Sequence, residues 1–137
     1  MNNLFVYGTL RKGRLEAIVP EISGLLTIKT RGYVKGKLFD AGNYPAATPN
    51  GNANQKVYGE VVEIEPAKLV YVLSILDEYE EFDVNNPSAS LFIRDIVNVK
   101  DAKGRQIKSW IYWYNKDVKK LKQIKGGVYR KRKQIIA

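Results

Sequence analysis

The sequence predicts a small α+β domain built on a mixed, barrel-like sheet, and three observations predict it. Several short apolar runs stop at glycines, as strands do at turns and bulges. One segment carries a clear helical period. The chain has 137 residues, 45% of them hydrophobic, which is the size and composition of one globular domain able to bury roughly two thirds of its surface.

Leu4-Phe5-Val6-Tyr7 is a continuous apolar run ended by Gly8, and reads as a buried strand stopping at a turn. Arg11 to Arg14 reads as a polar loop, and Leu15 to Ile22 as a short helix that Pro20 breaks or ends. Strand character returns at Leu25 and continues through Tyr33, Val34, Leu38 and Phe39, where Gly32 and Gly36 mark bulges or close backbone approach. Residues 40–56, rich in Gly, Asn and Pro, read as loop. Val57 to Ile64 is a further strand, interrupted by Gly59. Pro66 suits a first helical turn, where its missing N–H loses nothing. At about 100° per residue, Leu69, Val72, Leu73 and Leu76 then share one face, which predicts a helix running to about Glu81. Leu91 to Lys100 and Gln106 to Tyr114 read as two strands of a hairpin joined by Asp101-Ala102-Lys103-Gly104.

Composition narrows the chemistry. With no histidine and no cysteine, the chain can build no Ser-His-Asp or Cys-His nucleophile, imidazole shuttle, zinc finger or cysteine-held iron–sulfur cluster. Proton transfer must run through carboxylates, Tyr, Lys or the substrate itself. The N-terminal residues lack a basic region and a long apolar run, so no signal peptide is expected. The apolar patch from Leu69 to Leu76 is too short to span a bilayer; a cytoplasmic protein with no membrane partner is the expectation. The net charge of +9 is uneven: residues 1–115 hold 14 basic and 13 acidic side chains, whereas residues 116–137 hold 9 basic and one acidic. A near-neutral domain over 1–115 with a basic C-terminal extension of the same domain over 116–137 is therefore expected.

The end of the predicted helix carries Asp77, Glu78, Glu80, Glu81 and Asp83, opposed by the helix dipole and by one another. These acids do not share a face. With Leu69 at zero, Leu76 falls near −20°, Glu80 near +20° and Glu78 near 180°. Glu80 thus extends the apolar stripe. Partial burial and neighbouring acids would raise its pKa toward the range of a group that accepts and donates a proton near neutrality. Two bland placements fit the same arithmetic: the helix ends before Glu80 and its side chain swings into water, or a buried arginine pairs with it.

The ordered motifs resemble one family. Phe5-Val6-Tyr7-Gly8-Thr9-Leu10-Arg11-Lys12-Gly13 resembles the N-terminal signature of the γ-glutamylcyclotransferase-like superfamily, the AIG2-like and γ-glutamylamine cyclotransferase group. Gly36 to Asp40 with Gly42-Asn43-Tyr44-Pro45-Ala46, and Val57 to Val61, resemble its next segments. Leu76-Asp77-Glu78-Tyr79-Glu80 resembles the Leu-Asp-x-x-Glu element that holds the catalytic glutamate, and Phe92-Ile93-Arg94 a Tyr-x-Arg strand. Ser109 to Tyr114 resembles the last core strand, and Gly126 to Arg130 a common ending. Glu81 departs from the glycine that often follows the glutamate, and Phe92 from a frequent tyrosine.

The resemblance implies a small mixed β-barrel with flanking helices, and an acyltransferase or lyase that closes a γ-glutamyl group to 5-oxoproline and releases an amine. It implies Glu80 as general acid/base and a substrate site at Tyr7, Gly8, Thr9 and Leu10, with no cofactor and no metal. The expected partner is a small γ-glutamyl compound. The alternatives are a non-catalytic small-molecule binding protein on the same fold, or a nucleic-acid-binding protein using Lys116 to Lys133, against which the near-neutral core weighs.

Overall fold

The computed structural model describes residues 1–7, 12–49 and 51–129. In chain order the elements are β1 (Asn3–Tyr7), α1 (Lys12–Ile18), β2 (Leu26–Lys35), β3 (Lys37–Asp40), β4 (Pro45–Thr48), β5 (Lys56–Ile64), α2 (Leu69–Tyr79), β6 (Phe92–Asp101), β7 (Gln106–Tyr114) and β8 (Lys122–Gln123). Strands β1, β5, β2, β6 and β7 form a closed barrel in that order, and β4, β3 and β8 a small second sheet. The expected α+β barrel with flanking helices is what the chain forms.

β1 is central because all four residues of its apolar run are buried, which requires cover on both faces. It pairs antiparallel with β5 from Asn3↔Glu63 to Tyr7↔Gly59, and closes the barrel through a parallel bridge from Leu4 to Trp110 of β7. Alternation divides its side chains. Phe5 and Tyr7 join Val34, Leu38, Val57, Val61, Val99, Ile111 and Trp113 in one core, drawn from nearly every strand. Leu4 and Val6 join Val62 and Ile64 against Leu15, Val19 and Ile22 of the first helical region and Val72, Leu73 and Leu76 of α2. Helix packing therefore rests on the outer face of the wall that β1 forms.

At Gly59 the neighbouring strands β5 and β1 leave no room for a side chain: a Cβ there would lie 2.1 Å from the Val6 carbonyl oxygen and 2.9 Å from the Phe5 ring. Its neighbour in the register, Gly32, is similarly crowded against the Lys100 carbonyl. The two glycines that the sequence marks for bulges or close approach, Gly32 and Gly36, both meet a backbone: an added Cβ would lie 2.6 Å from the Lys100 carbonyl oxygen and 2.7 Å from the Thr48 carbonyl oxygen.

Several boundaries differ from the sequence reading. The first helix begins at Lys12, not Leu15, and Pro20 opens a separate 3₁₀ turn, Pro20–Ile22. The expected loop over 40–56 contains β4, which pairs with β3 from Lys37↔Thr48 to Asp40↔Pro45. Proline at the start of that strand costs no internal ladder bond. Within the basic segment, β8 pairs with β3, Ile124 packs against the barrel core, and Tyr129 is buried in it. Among the described residues, no helix is long and apolar enough to cross a membrane.

Candidate active site

α2 positions the residue of greatest interest. It has no side-chain N-cap bond and no acid in its first turn, so its stability comes from packing. Val72, Leu73 and Leu76 are buried, each contributing about 1.5–3 kcal/mol relative to exposure. The helix ends at Tyr79, two residues before the expected Glu81, and the ending is specific. Glu80 still donates its N–H to the Leu76 carbonyl at 2.8 Å, Glu81 donates to Glu78 at 3.2 Å, and Phe82 donates to Asp77 at 2.8 Å. The last two bonds are those of a Schellman motif, with Glu81 as the left-handed residue at φ 54°. That conformation favours glycine, and a side chain there costs about 1–2 kcal/mol. Glu81→Gly is therefore expected to raise the melting temperature by roughly 2–5 °C, read by a thermal melt; an unchanged or lower value would contradict the strain.

This ending turns Glu80 inward. It is 6% exposed, neither swung into water nor, among the described residues, held in an ion pair: the pairs there are Lys12–Glu16, Arg94–Asp77 and Arg105–Asp101. Burial pushes its carboxyl up to about 8. On one side it lines a cavity of about 120 Å³ with Tyr44, Pro45, Tyr79, Glu81, Leu91 and Phe92. On the other it borders a narrow space lined by Leu4, Phe5, Val6, Tyr7, Leu15, Leu76 and Tyr112. A larger hollow of about 450 Å³ between β2, β5 and the β6–β7 turn shares no lining residue with either.

Tyr7 reaches the same place from β1. It is 1% exposed, and its hydroxyl donates to the Tyr112 carbonyl at 2.5 Å. Burial, then the charge of Glu80, holds its phenol protonated well above the usual range. Burial and Glu80 likewise raise Tyr79, and burial raises Tyr44, with smaller contributions from Tyr114, Glu81 and Glu80. Tyr112 is raised by burial and by its hydrogen bond to Asp77. The buried Glu80 carboxyl thus sits among neutral phenols in a low-dielectric setting.

The structure brings Tyr7 and Glu80 to one cavity wall, as the sequence reading paired them. Gly8, Thr9 and Leu10, the other residues of the expected substrate site, lie outside the described residues. Sequence reasoning did not single out Tyr112 for the site. Its signal is the alternation of β7, which puts Tyr112 on the face opposite Ile111. Among the described residues no three carboxylates converge as a metal site would require.

A family model described as "Gamma-glutamyl cyclotransferase, AIG2-like" matches residues 4–131. The chain belongs to the γ-glutamyl cyclotransferase, AIG2-like family. This is a family of cyclotransferase enzymes. The chain is 36% identical over 118 residues to the γ-L-glutamyl-butirosin B γ-glutamyl cyclotransferase of Niallia circulans, covering 85% of this chain and 69% of that one. Among solved structures, an AIG2-like protein from Mus musculus superposes with a TM-score of 0.69 over 97% of both chains at 23% identity, a likeness of fold. YkqA from Bacillus subtilis superposes with a TM-score of 0.67 at 26% identity over 93% of this chain, which spans 39% of that longer protein.

Proposed function

We propose that this cyclotransferase closes a γ-glutamyl group to 5-oxoproline, with Glu80 carrying the proton. The observation that carries the reading is the carboxyl of Glu80: buried at the end of α2, beside Tyr7, with its pKa near 8. An ordinary glutamate near 4.3 is too weak a base to take a proton from an ammonium group. One near 8 can take that proton and later return it.

The reaction needs no enzymic nucleophile. The γ-glutamyl α-ammonium gives a proton to the Glu80 carboxylate, and the freed amine attacks the substrate's own γ-carbonyl carbon. Glu80 passes that proton to the leaving nitrogen and takes the second proton from the ring nitrogen. The tetrahedral oxyanion then collapses, the C–N bond to the leaving amine breaks, and the released amine receives the second proton from Glu80 and departs as an ammonium ion. No water is consumed. Holding amine and carbonyl in register for a five-membered ring supplies much of the advantage. Within this proposal, backbone N–H groups of Gly8, Thr9 and Leu10 are the donors to substrate and oxyanion, the role implied by the family resemblance, and Tyr7 shapes the pocket wall.

The substrate class in this reading is a γ-glutamyl amine, supported by the family description and by the Niallia relative. The test is a panel of γ-glutamyl amino acids, γ-glutamyl-ε-lysine, γ-glutamyl polyamines, glutathione and, after the name of the Niallia relative, γ-L-glutamyl-butirosin B. Release of 5-oxoproline from at least one is expected. Binding of the panel without turnover would establish a non-catalytic protein instead.

A further inference from the structure

The hollow of about 450 Å³ between β2, β5 and the β6–β7 turn has no part in the steps above. Its volume is that of a small-molecule site. One side chain in its wall is a buried acid: Glu60, on β5, is only 6% exposed. Its Oε1 accepts the Lys12 N–H at 3.1 Å, which anchors the carboxylate at the start of α1. Oε2 has no hydrogen-bond partner among the described residues. Nor is it sealed away, since the buried side-chain atom left without a partner there is Asn3 Oδ1. Arg31 stands directly opposite Glu60 in the β2–β5 register and lines the same hollow. Opposite charges across a ladder ordinarily pair. These two do not: the ion pairs among the described residues lie elsewhere. Asp101, also in the wall, is already satisfied by the N–H groups of Lys103 and Arg105 and by Nε of Arg105, each at 2.9 Å. The apolar lining includes Tyr33 and Tyr58, with ring centres 5.8 Å apart.

We propose that this hollow is a second small-molecule site, one that binds a free α-amino acid with an apolar or aromatic side chain: Glu60 takes the α-ammonium, Arg31 the α-carboxylate, and Tyr33 with Tyr58 the side chain. A plain anion is opposed by Glu60 and a plain cation by Arg31. A zwitterion satisfies both at once. An α-amino acid carries its two charges on one carbon, which suits two residues facing each other across neighbouring strands about 4.8 Å apart. The guanidinium offers a planar fork to a carboxylate, and the open oxygen of Glu60 accepts from an ammonium, both charge-assisted hydrogen bonds. The tyrosine rings supply large apolar faces beside them. The hollow shares no lining residue with the two spaces beside Glu80, so the proposal does not depend on the proton-carrier reading.

The test is a titration of the full chain with three compounds, followed by ¹H–¹⁵N NMR, which gives both the affinity and the place of binding. The compounds are L-phenylalanine, 2-phenylethylamine, which lacks the carboxylate, and 3-phenylpropionate, which lacks the ammonium. L-phenylalanine is expected to bind with a Kd on the order of 1 mM, shifting the amides of Arg31, Tyr33, Tyr58 and Glu60. Each analogue should bind about tenfold more weakly or worse. Glu60→Gln should weaken L-phenylalanine about tenfold and leave 3-phenylpropionate no weaker; Arg31→Met should weaken L-phenylalanine by a similar factor and leave 2-phenylethylamine no weaker. This crossed pattern is one that loosened packing would not produce. No binding at tens of millimolar, shifts confined to residues away from the hollow, or an analogue that binds as tightly as L-phenylalanine overturns the proposal. If Glu60→Gln does not fold because Lys12 loses its anchor, Arg31→Met decides alone. Weaker binding of L-phenylalanine with 2-phenylethylamine unaffected then supports the proposal, and any other pattern overturns it.

Discussion

Glu80→Gln is expected to abolish 5-oxoproline release, by about 10²- to 10⁴-fold or more, and to make the protein more stable at high pH. The first effect follows from removing the only group in the cavity proposed to carry a proton; the second follows from burial. The Glu80 carboxyl titrates near 8 when folded and near 4.3 in an unfolded chain. Between those values the folded state holds a proton that the unfolded state has lost. Stability therefore falls as pH rises through this window and stays lower above it. The full cost is on the order of several kcal/mol, since each pH unit is worth about 1.4 kcal/mol. Glutamine carries no charge and keeps nearly the same shape. At pH 5 the two proteins should melt alike, and at pH 9 the variant should melt higher by several degrees. A wild type that is the more stable protein at pH 9 would show that Glu80 is not desolvated. Loss of activity with gain of stability separates a functional carboxyl from a structural one.

Gly59→Ala is expected to be the most damaging small substitution in the barrel. A methyl group cannot sit 2.1 Å from the Val6 carbonyl oxygen, so β1 and β5 must part at the end of their register, where Tyr7 opposes Gly59. The loss should be about 3 kcal/mol or more, with reduced activity because Tyr7 forms part of the Glu80 cavity. Gly13→Ala is the matched control. Gly13 lies in α1 with nothing within 4 Å of an added Cβ, and alanine there should stabilise by roughly 0.5–1 kcal/mol. Urea midpoints of the two variants should move in opposite directions. A Gly59→Ala protein as stable as wild type would mean that β1 and β5 do not approach as described.

Much of the site was legible because it depends on local periodicity. The apolar run at 4–7, the stripe of Leu69, Val72, Leu73 and Leu76, and the 91–114 hairpin all carry their period within a few residues, and all form as expected. The inward placement of Glu80 follows from the same 3.6-residue arithmetic. The helix end did not, because the Schellman motif here uses Glu81 where glycine would have announced it. β4 was hidden by Pro45 and by two alanines with little strand preference; it forms because β3 lies beside it. β8 has two residues and no period at all. Closure of the barrel by one parallel bridge between Leu4 and Trp110 joins positions over a hundred residues apart. The Asp77–Arg94–Tyr112 cluster is likewise assembled across sequence separations of 17 and 35 residues. Such contacts belong to the tertiary fold, and no local window contains them.

The proposed ring closure is intramolecular and needs neither histidine nor cysteine, which makes the fate of water decisive. Wild-type protein turned over with its best γ-glutamyl amine in ¹⁸O-labelled water tests this directly by mass spectrometry. The account predicts equal amounts of 5-oxoproline and free amine, with no heavy oxygen in the ring product. Glutamate carrying heavy oxygen would mean that water, not the substrate's own amine, attacks the γ-carbonyl, and would contradict it.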